Sequence, residues 1–339
     1  MRIFGIFLNG VTTMHLRHIF ASVLLSAVMA GCGNGRAVNE PRVSVERFDR
    51  AAASYISASD SLRASILRDY APVIDVFGSI YGMHDADSVL AAVASSPAMR
   101  VFQPDVEKRL PDLGAIEARL GGLKSGIEAV VEGVKFPKRV FGIVTPYEQT
   151  VVFADSVALV GLNHYLGSDY EGYQAFDSYK RQCKSPDFLV YDFAKALLYT
   201  QCPFREQTES KVLSRLIYEG AVISAVMRSV PDADPAHALG YTSGQLEWAD
   251  SNMQRIWHKM VADGMIYSVD KTVADRLVAK APHTTVIHPQ SPGALGTYVG
   301  YLIVESYLAK HPETSPGKLL SPEFYNDETF LVKSGFRAG

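Results

Sequence analysis

Apolar residues recur at helical spacing over most of this chain, so helix is the dominant element its pattern predicts. Val43 to Ala94 reads helical, with Phe48, Ala52, Tyr55 and Ile56 on one face and Asp60, Pro72 and Gly82 as punctuation. Asp112 to Gly133 predicts another helix, with Ile116, Leu120, Leu123, Ile127 and Val130 or Val131 along one side, and Gly121 and Gly122 weaken its middle. The period then shortens. Lys138–Thr145, Thr150–Phe153 and Val157–Leu162 are short apolar or β-branched runs broken by Pro146 and Asp155, and predict a small sheet of about three strands. Asn163–Tyr179 follows as an aromatic, glycine-containing loop.

Ser185 to Val230 carries the strongest pattern, two helices joined by a polar turn. Ser185 and Pro186 suit an N-cap and first-turn position, with Asp187 near the positive end of the helix dipole. Phe188, Leu189, Phe193, Ala196 and Leu197 form an apolar face, and Asp192 and Lys195 fall on or beside it. After Thr208, the stripe Val212, Leu216, Ile223 and Met227 carries Glu219 at its missing step. Thr242 and Gln245 form a capping box ahead of a helix to Asp263 that carries Leu246, Trp248, Met253, Ile256 and Trp257. Lys271–Ala281 and Tyr298–Leu308 predict two more helices around a turn-rich Pro289–Gly296, and the tail from His311 reads as polar and irregular. The fold class is α+β: a mostly helical single domain with a small central sheet.

Composition narrows the function classes. At 339 residues, 47% hydrophobic and 20% charged, the chain is long enough for a full core. A formal charge of −3 gives no electrostatic footprint for nucleic acid. Arg17 and His18 precede a short apolar run, Ile19–Val28, that ends Met29-Ala30-Gly31-Cys32. That ending resembles a bacterial lipoprotein signal. By that resemblance residues 1–31 are a signal peptide (with Met14 as an alternative start), and Cys32 is acylated by an N-terminal lipid. Residues 32–42 are then a tether and 43–339 the globular domain. No other cofactor is implied. Cys183 and Cys202 bracket a helix roughly 20 Å long, so two unbridged thiols are expected rather than a disulfide.

Candidate chemistry is sparse. The nine histidines form no H-E-x-x-H or H-x-x-E-H, and there is no G-x-S-x-G and no glycine-rich phosphate loop. His283 and His288 read as loop histidines. Asp192, Lys195 and Glu219 remain. Either Lys195 snorkels out beside a half-buried Asp192, or the three form an internal ion cluster that fixes how the helices dock.

The series Leu162-Asn163-His164-Tyr165-Leu166-Gly167, Leu213–Gly220, Gly240-Tyr241-Thr242, Gln245–Trp248, Trp257, and Ser291-Pro292-Gly293 before Gly300-Tyr301 resembles the GldB gliding-motility lipoprotein family. The resemblance implies a lipoprotein of Bacteroidetes, held on the membrane by its lipid, with envelope partners in the gliding and secretion machinery. Gly33-Asn34-Gly35-Arg36 lacks the acidic cluster that accompanies surface display, which implies an outer-membrane protein facing the periplasm. The layout is also similar to zincin-type metallopeptidases. By position, Tyr191, Asp192 and Lys195 stand where that motif has its first His, its general-base Glu and its second His, and Glu219 stands where the third ligand would. The resemblance thus implies a degenerate metal site in which the Lys195 ammonium replaces the metal charge between Asp192 and Glu219. His164, Tyr165, Asp169, Tyr170 and Tyr173 offer a candidate partner-binding loop. Two function classes follow: a non-catalytic lipoprotein that binds or braces envelope partners, and a zinc-dependent or metal-free hydrolase using His164 or His283 with nearby carboxylates.

Overall fold

A computed structural model describes residues 41–338. The signal peptide, Cys32 and nearly all of the tether lie outside the described residues. The chain opens with strand β1 (Val45–Arg47) and runs through helices α1 (Phe48–Tyr55), α2 (Asp60–Asp69), α3 (Ala71–Tyr81), α4 (Ala86–Ala94), α5 (Pro97–Arg109) and α6 (Gly114–Val130). Three strands follow: β2 (Arg139–Ile143), β3 (Val151–Ala154) and β4 (Val157–Gly161). The remainder is helical: α7 (Ser178–Arg181), α8 (Pro186–Gln201), α9 (Val212–Ser229), α10 (Pro235–Leu239), α11 (Ser243–Ala262), α12 (Lys271–Val278), α13 (Leu295–Lys310), α14 (Pro322–Tyr325) and α15 (Phe330–Ser334).

Among the described residues the sheet has four strands in the order β1-β2-β4-β3, one more than the pattern predicts. β1 pairs parallel with β2, and β2 parallel with β4, while β3 runs antiparallel along the outer edge of β4. β1 is missed because three residues, Val-Glu-Arg, are too short to interrupt a helical period. A parallel partner so far away in sequence is a tertiary fact. Asp155 turns β3 into β4 with φ 49°, in the left-handed region that Asp tolerates better than most residues.

Strand alternation places Phe141, Leu159 and Val152 on one face and Phe153 on the other. The first face is covered by the early helices through Phe48, Tyr70 and Phe77, with Tyr70 against Phe141. The second is covered by α8, whose Phe193 meets Phe136 and Phe153. Behind α8 the central helix α9 lies against α13. A Cβ on Gly220 would sit 2.1 Å from the carbonyl carbon of Gly300, so the two backbones touch and only glycine fits at the crossing.

The capping box forms as predicted: the Thr242 side chain accepts from Gln245 N at 3.2 Å and Gln245 accepts from Thr242 N at 2.8 Å. Ser185 holds the N-cap position of α8 in extended backbone, but its side chain makes no cap bond. The tail after His311 is not irregular. It forms a 3-10 turn and two short helices that bury Leu319, Leu320, Tyr325 and Phe330. Their apolar residues are too unevenly spaced to show a period, and packing against α9 and α13 orders them. No described helix is long and apolar enough to cross a membrane.

Candidate functional site

Burial organises the polar residues of α8. Lys195 is buried, and its ammonium donates to the Ala238 carbonyl at 3.1 Å and lies 3.6 Å from Asp192. Ala238 sits in the last turn of α10, where carbonyls lack helical partners and a cation is favoured. Burial lowers the Lys195 pKa, and the Asp192 charge opposes that shift. Asp192 also accepts from the Tyr165 hydroxyl at 3.1 Å, and burial pushes that hydroxyl's pKa well up. Lys195 therefore does not snorkel; it is closed into the protein.

Glu219 does not join this cluster. Its carboxylate is buried one turn further along α8, accepting from the Tyr199 hydroxyl at 2.7 Å and pairing with Arg215 at 2.9 Å. The expected three-residue cluster is thus two separate networks, because Arg215, four residues back on the same helix, reaches Glu219 more easily than a lysine on α8 does. Tyr191 is separate as well. Its hydroxyl accepts from Asp234 N at 2.8 Å, and its ring stacks on His237 at 5.7 Å.

These residues do not suit a metal. Lys195 is a donor, the Tyr191 hydroxyl is engaged by a backbone amide, and the Glu219 charge is matched by Arg215. Among the described residues no three His, Cys, Asp or Glu side chains group as a ligand set. Cys183 and Cys202 are free thiols, and burial raises the pKa of both. His283 is tied to the Ser291 carbonyl at 2.8 Å, and His288 accepts from Gln290 N at 3.1 Å, so both shape their own loop.

The aromatic loop after β4 turns inward, contrary to the expectation that it presents a partner surface. Of the five candidate residues, His164, Tyr165, Tyr170 and Tyr173 are buried, and Asp169 stands in solvent with 81% of its side chain exposed. Burial of large rings outweighs their display: Tyr170 and Tyr173 meet edge to face at 4.8 Å, and Lys184 lies over Tyr173 and Phe176. The motif at the start of the loop is a brace. Asn163 accepts from Thr145 N at 3.1 Å and donates to Thr145 O at 2.9 Å, clamping the chain just after β2. His164 Nε2 lies 2.9 Å from the Tyr147 carbonyl, and its Nδ1 lies 2.8 Å from the Lys184 ammonium. Lysine can only donate, so Nδ1 accepts and Nε2 carries the proton. Burial, then the Lys184 charge, lowers the His164 pKa to about 4. Gly161 makes the brace possible, since a Cβ there would sit 2.7 Å from the His164 ring.

The segment so braced is one wall of a groove of about 220 Å³. Val76, Phe77 and Ile80 of α3 form the opposite wall, and Ile143, Val152, Leu159 and Gly161 the floor. Three large apolar side chains exposed at the surface converge on it: Ile80 at 50%, Tyr147 at 41% and Val152 at 38%. The groove went unread in the sequence because its walls are far apart in the chain.

No curated protein and no solved structure matches this chain. Residues 35–338 match a family described as gliding motility protein GldB. That span takes in the inward-turned motif after β4, the helix pair with its two ion networks and the exposed groove, and the chain belongs to the GldB family.

Proposed function

We propose that this protein is a lipid-anchored, non-catalytic component of the cell envelope that binds or braces partner proteins of the gliding-motility machinery. Family membership suggests a gliding-motility-associated lipoprotein. The finer reading rests on one observation: Lys195, His164, Asp192 and Glu219, the candidate acids and bases on and around α8, are each already held by an intramolecular partner. Lys195 is taken by a carbonyl, His164 by a carbonyl and an ammonium, Asp192 by Tyr165 and Lys195, and Glu219 by Tyr199 and Arg215. A general base must reach a substrate proton, and a metal-activated water needs an open ligand set. Tyr191 and Lys195 supply neither. On this reading the zincin-like positions have become structural, and the exposed groove is the feature left for recognition.

Cys32 supplies the anchor, with the periplasmic face of the outer membrane as its place. Replacing Cys32 by Ser should move the protein out of the membrane fraction and abolish labelling by a fatty-acid analogue. Non-catalysis is tested by incubating the purified full chain with a peptide panel, with and without added zinc. No turnover is expected. Hydrolysis that disappears in Glu219→Gln or His164→Gln would establish the hydrolase reading instead.

A further inference from the structure

The two edges of the sheet are finished differently. At the β1 edge, Val45 N donates to the Glu117 carboxylate at 2.9 Å and Val43 N to the Glu117 carbonyl at 3.1 Å, while Arg47 pairs with Asp49. That edge is capped by the side chain and the carbonyl of Glu117 on α6. Strand β3, at the other edge, reads Val-Val-Phe-Ala and carries no charge, no proline and no bulge, the usual means of blunting an edge.

Register shows which β3 backbone groups face away from β4. Gly161 N donates to Thr150 O at 2.9 Å, so Thr150 and the residues two and four further on, Val152 and Ala154, direct their N–H and C=O groups toward β4. Val151 and Phe153 direct theirs outward, and among the described residues neither makes a backbone hydrogen bond outside the sheet. Val152, between them, faces the groove alongside its register partner Leu159.

From this juxtaposition we infer that the β3 edge and the adjoining groove bind an extended apolar segment of a partner protein, which adds to the sheet as a fifth strand. The backbone of the segment pairs with Val151 and Phe153. Its residue opposite Val152 lies on the same face as Val152, because cross-strand neighbours share a face, and so projects over the groove between Ile80 and Tyr147. No lining residue of the groove is charged, which matches an uncharged side chain on the occupant. A peptide is favoured over an acyl chain because the open amides and carbonyls of β3 need partners that a hydrocarbon cannot supply. The inference rests on the binding role proposed above.

The test uses the full chain in detergent and a fluorescent peptide alternating valine with threonine. A second peptide carries N-methyl groups on the amides of the edge that meets β3, and a third has lysine in place of valine. The first peptide should bind in the micromolar range, and the other two at least about tenfold more weakly, a loss of about 1.4 kcal/mol. Val152→Lys and Ile80→Ser should each weaken the first peptide by a similar factor, with circular dichroism unchanged because both side chains are exposed. Equal binding of the N-methylated peptide, or displacement by a free fatty acid alone, would assign the groove to an acyl chain and overturn strand addition. A dimer of the full chain that Val152→Lys dissociates would assign the edge to a second copy and overturn a partner segment. The two readings fail separately: a bound peptide recovered cleaved sinks non-catalysis and leaves the site standing, whereas no binding with no cleavage sinks only the site.

Discussion

Beneath β3, Phe153 meets Phe193 of α8 edge to face at 5.1 Å, and the charged groups on that side are closed into networks. Above β3, Val152 and Ile80 stand partly in solvent at the groove. One strand thus separates a region in which polar groups have their partners from one in which apolar groups lack cover. Among the described residues, Asn326 is the side chain whose buried polar atoms find no partner. The closed side follows the rule that a buried charge is tolerated only when matched. The open side breaks no such rule, since exposed apolar area costs little until it becomes large. Polar completeness points to structure, and uncovered apolar surface beside an open backbone edge points to recognition.

The largest effects should come from uncovering a charge on the closed side. Arg215→Met leaves the Glu219 carboxylate buried with only Tyr199, and should cost about 3–5 kcal/mol in urea unfolding. Melting like the wild type would show that Glu219 is not a buried charge.

His164 should give the next largest effect, as a pH dependence. Its folded pKa of about 4 lies below the ordinary value of 6.5, so the unfolded chain binds the proton more readily between those values. Stability is then fully present above about pH 6.5 and is lost as pH falls toward about 4, by up to roughly 3 kcal/mol. Urea unfolding at a series of pH values should show this slope in the wild type and its reduction in His164→Gln. Identical slopes would break the brace assignment.

Lys195→Met should cost less than Arg215→Met, about 1–2 kcal/mol. Asp192 keeps its bond from Tyr165 and about a tenth of its side-chain exposure (13%), and the variant no longer desolvates an ammonium. The reverse ranking of the two variants would restore a single Lys195-centred cluster and undo the separation of the networks. Smallest of all, Ile80→Ser on the open side should change stability by no more than about 0.5 kcal/mol, because the side chain is half exposed. A drop of several kcal/mol there would mean the groove is core rather than a site.

The alternation and helical periods by themselves determined the element classes, the β2–β3–β4 segment, the helix pair around Asp192 and Glu219, and the Thr242 capping box. These are local signals, carried by residues a few positions apart and set by backbone geometry. The motif series likewise identified the family. The three-residue strand β1, the short helices of the tail and the groove were not legible, because each depends on residues that meet only after the chain has folded back. The polar cluster shows the division within a single helix pair. Sequence placed Asp192, Lys195 and Glu219 on core-facing stripes, and all three are indeed buried or nearly so. Which charges neutralise one another was decided by tertiary structure, since a shift of one helical turn moves an ammonium about 5 Å, enough to exchange a carboxylate for the carbonyl of Ala238. The inward turn of Tyr165, Tyr170 and Tyr173 has the same cause. An aromatic loop reads alike in sequence whether its rings are displayed or buried, and only the packing of Lys184, Asp192 and Asp105 around those rings determines which.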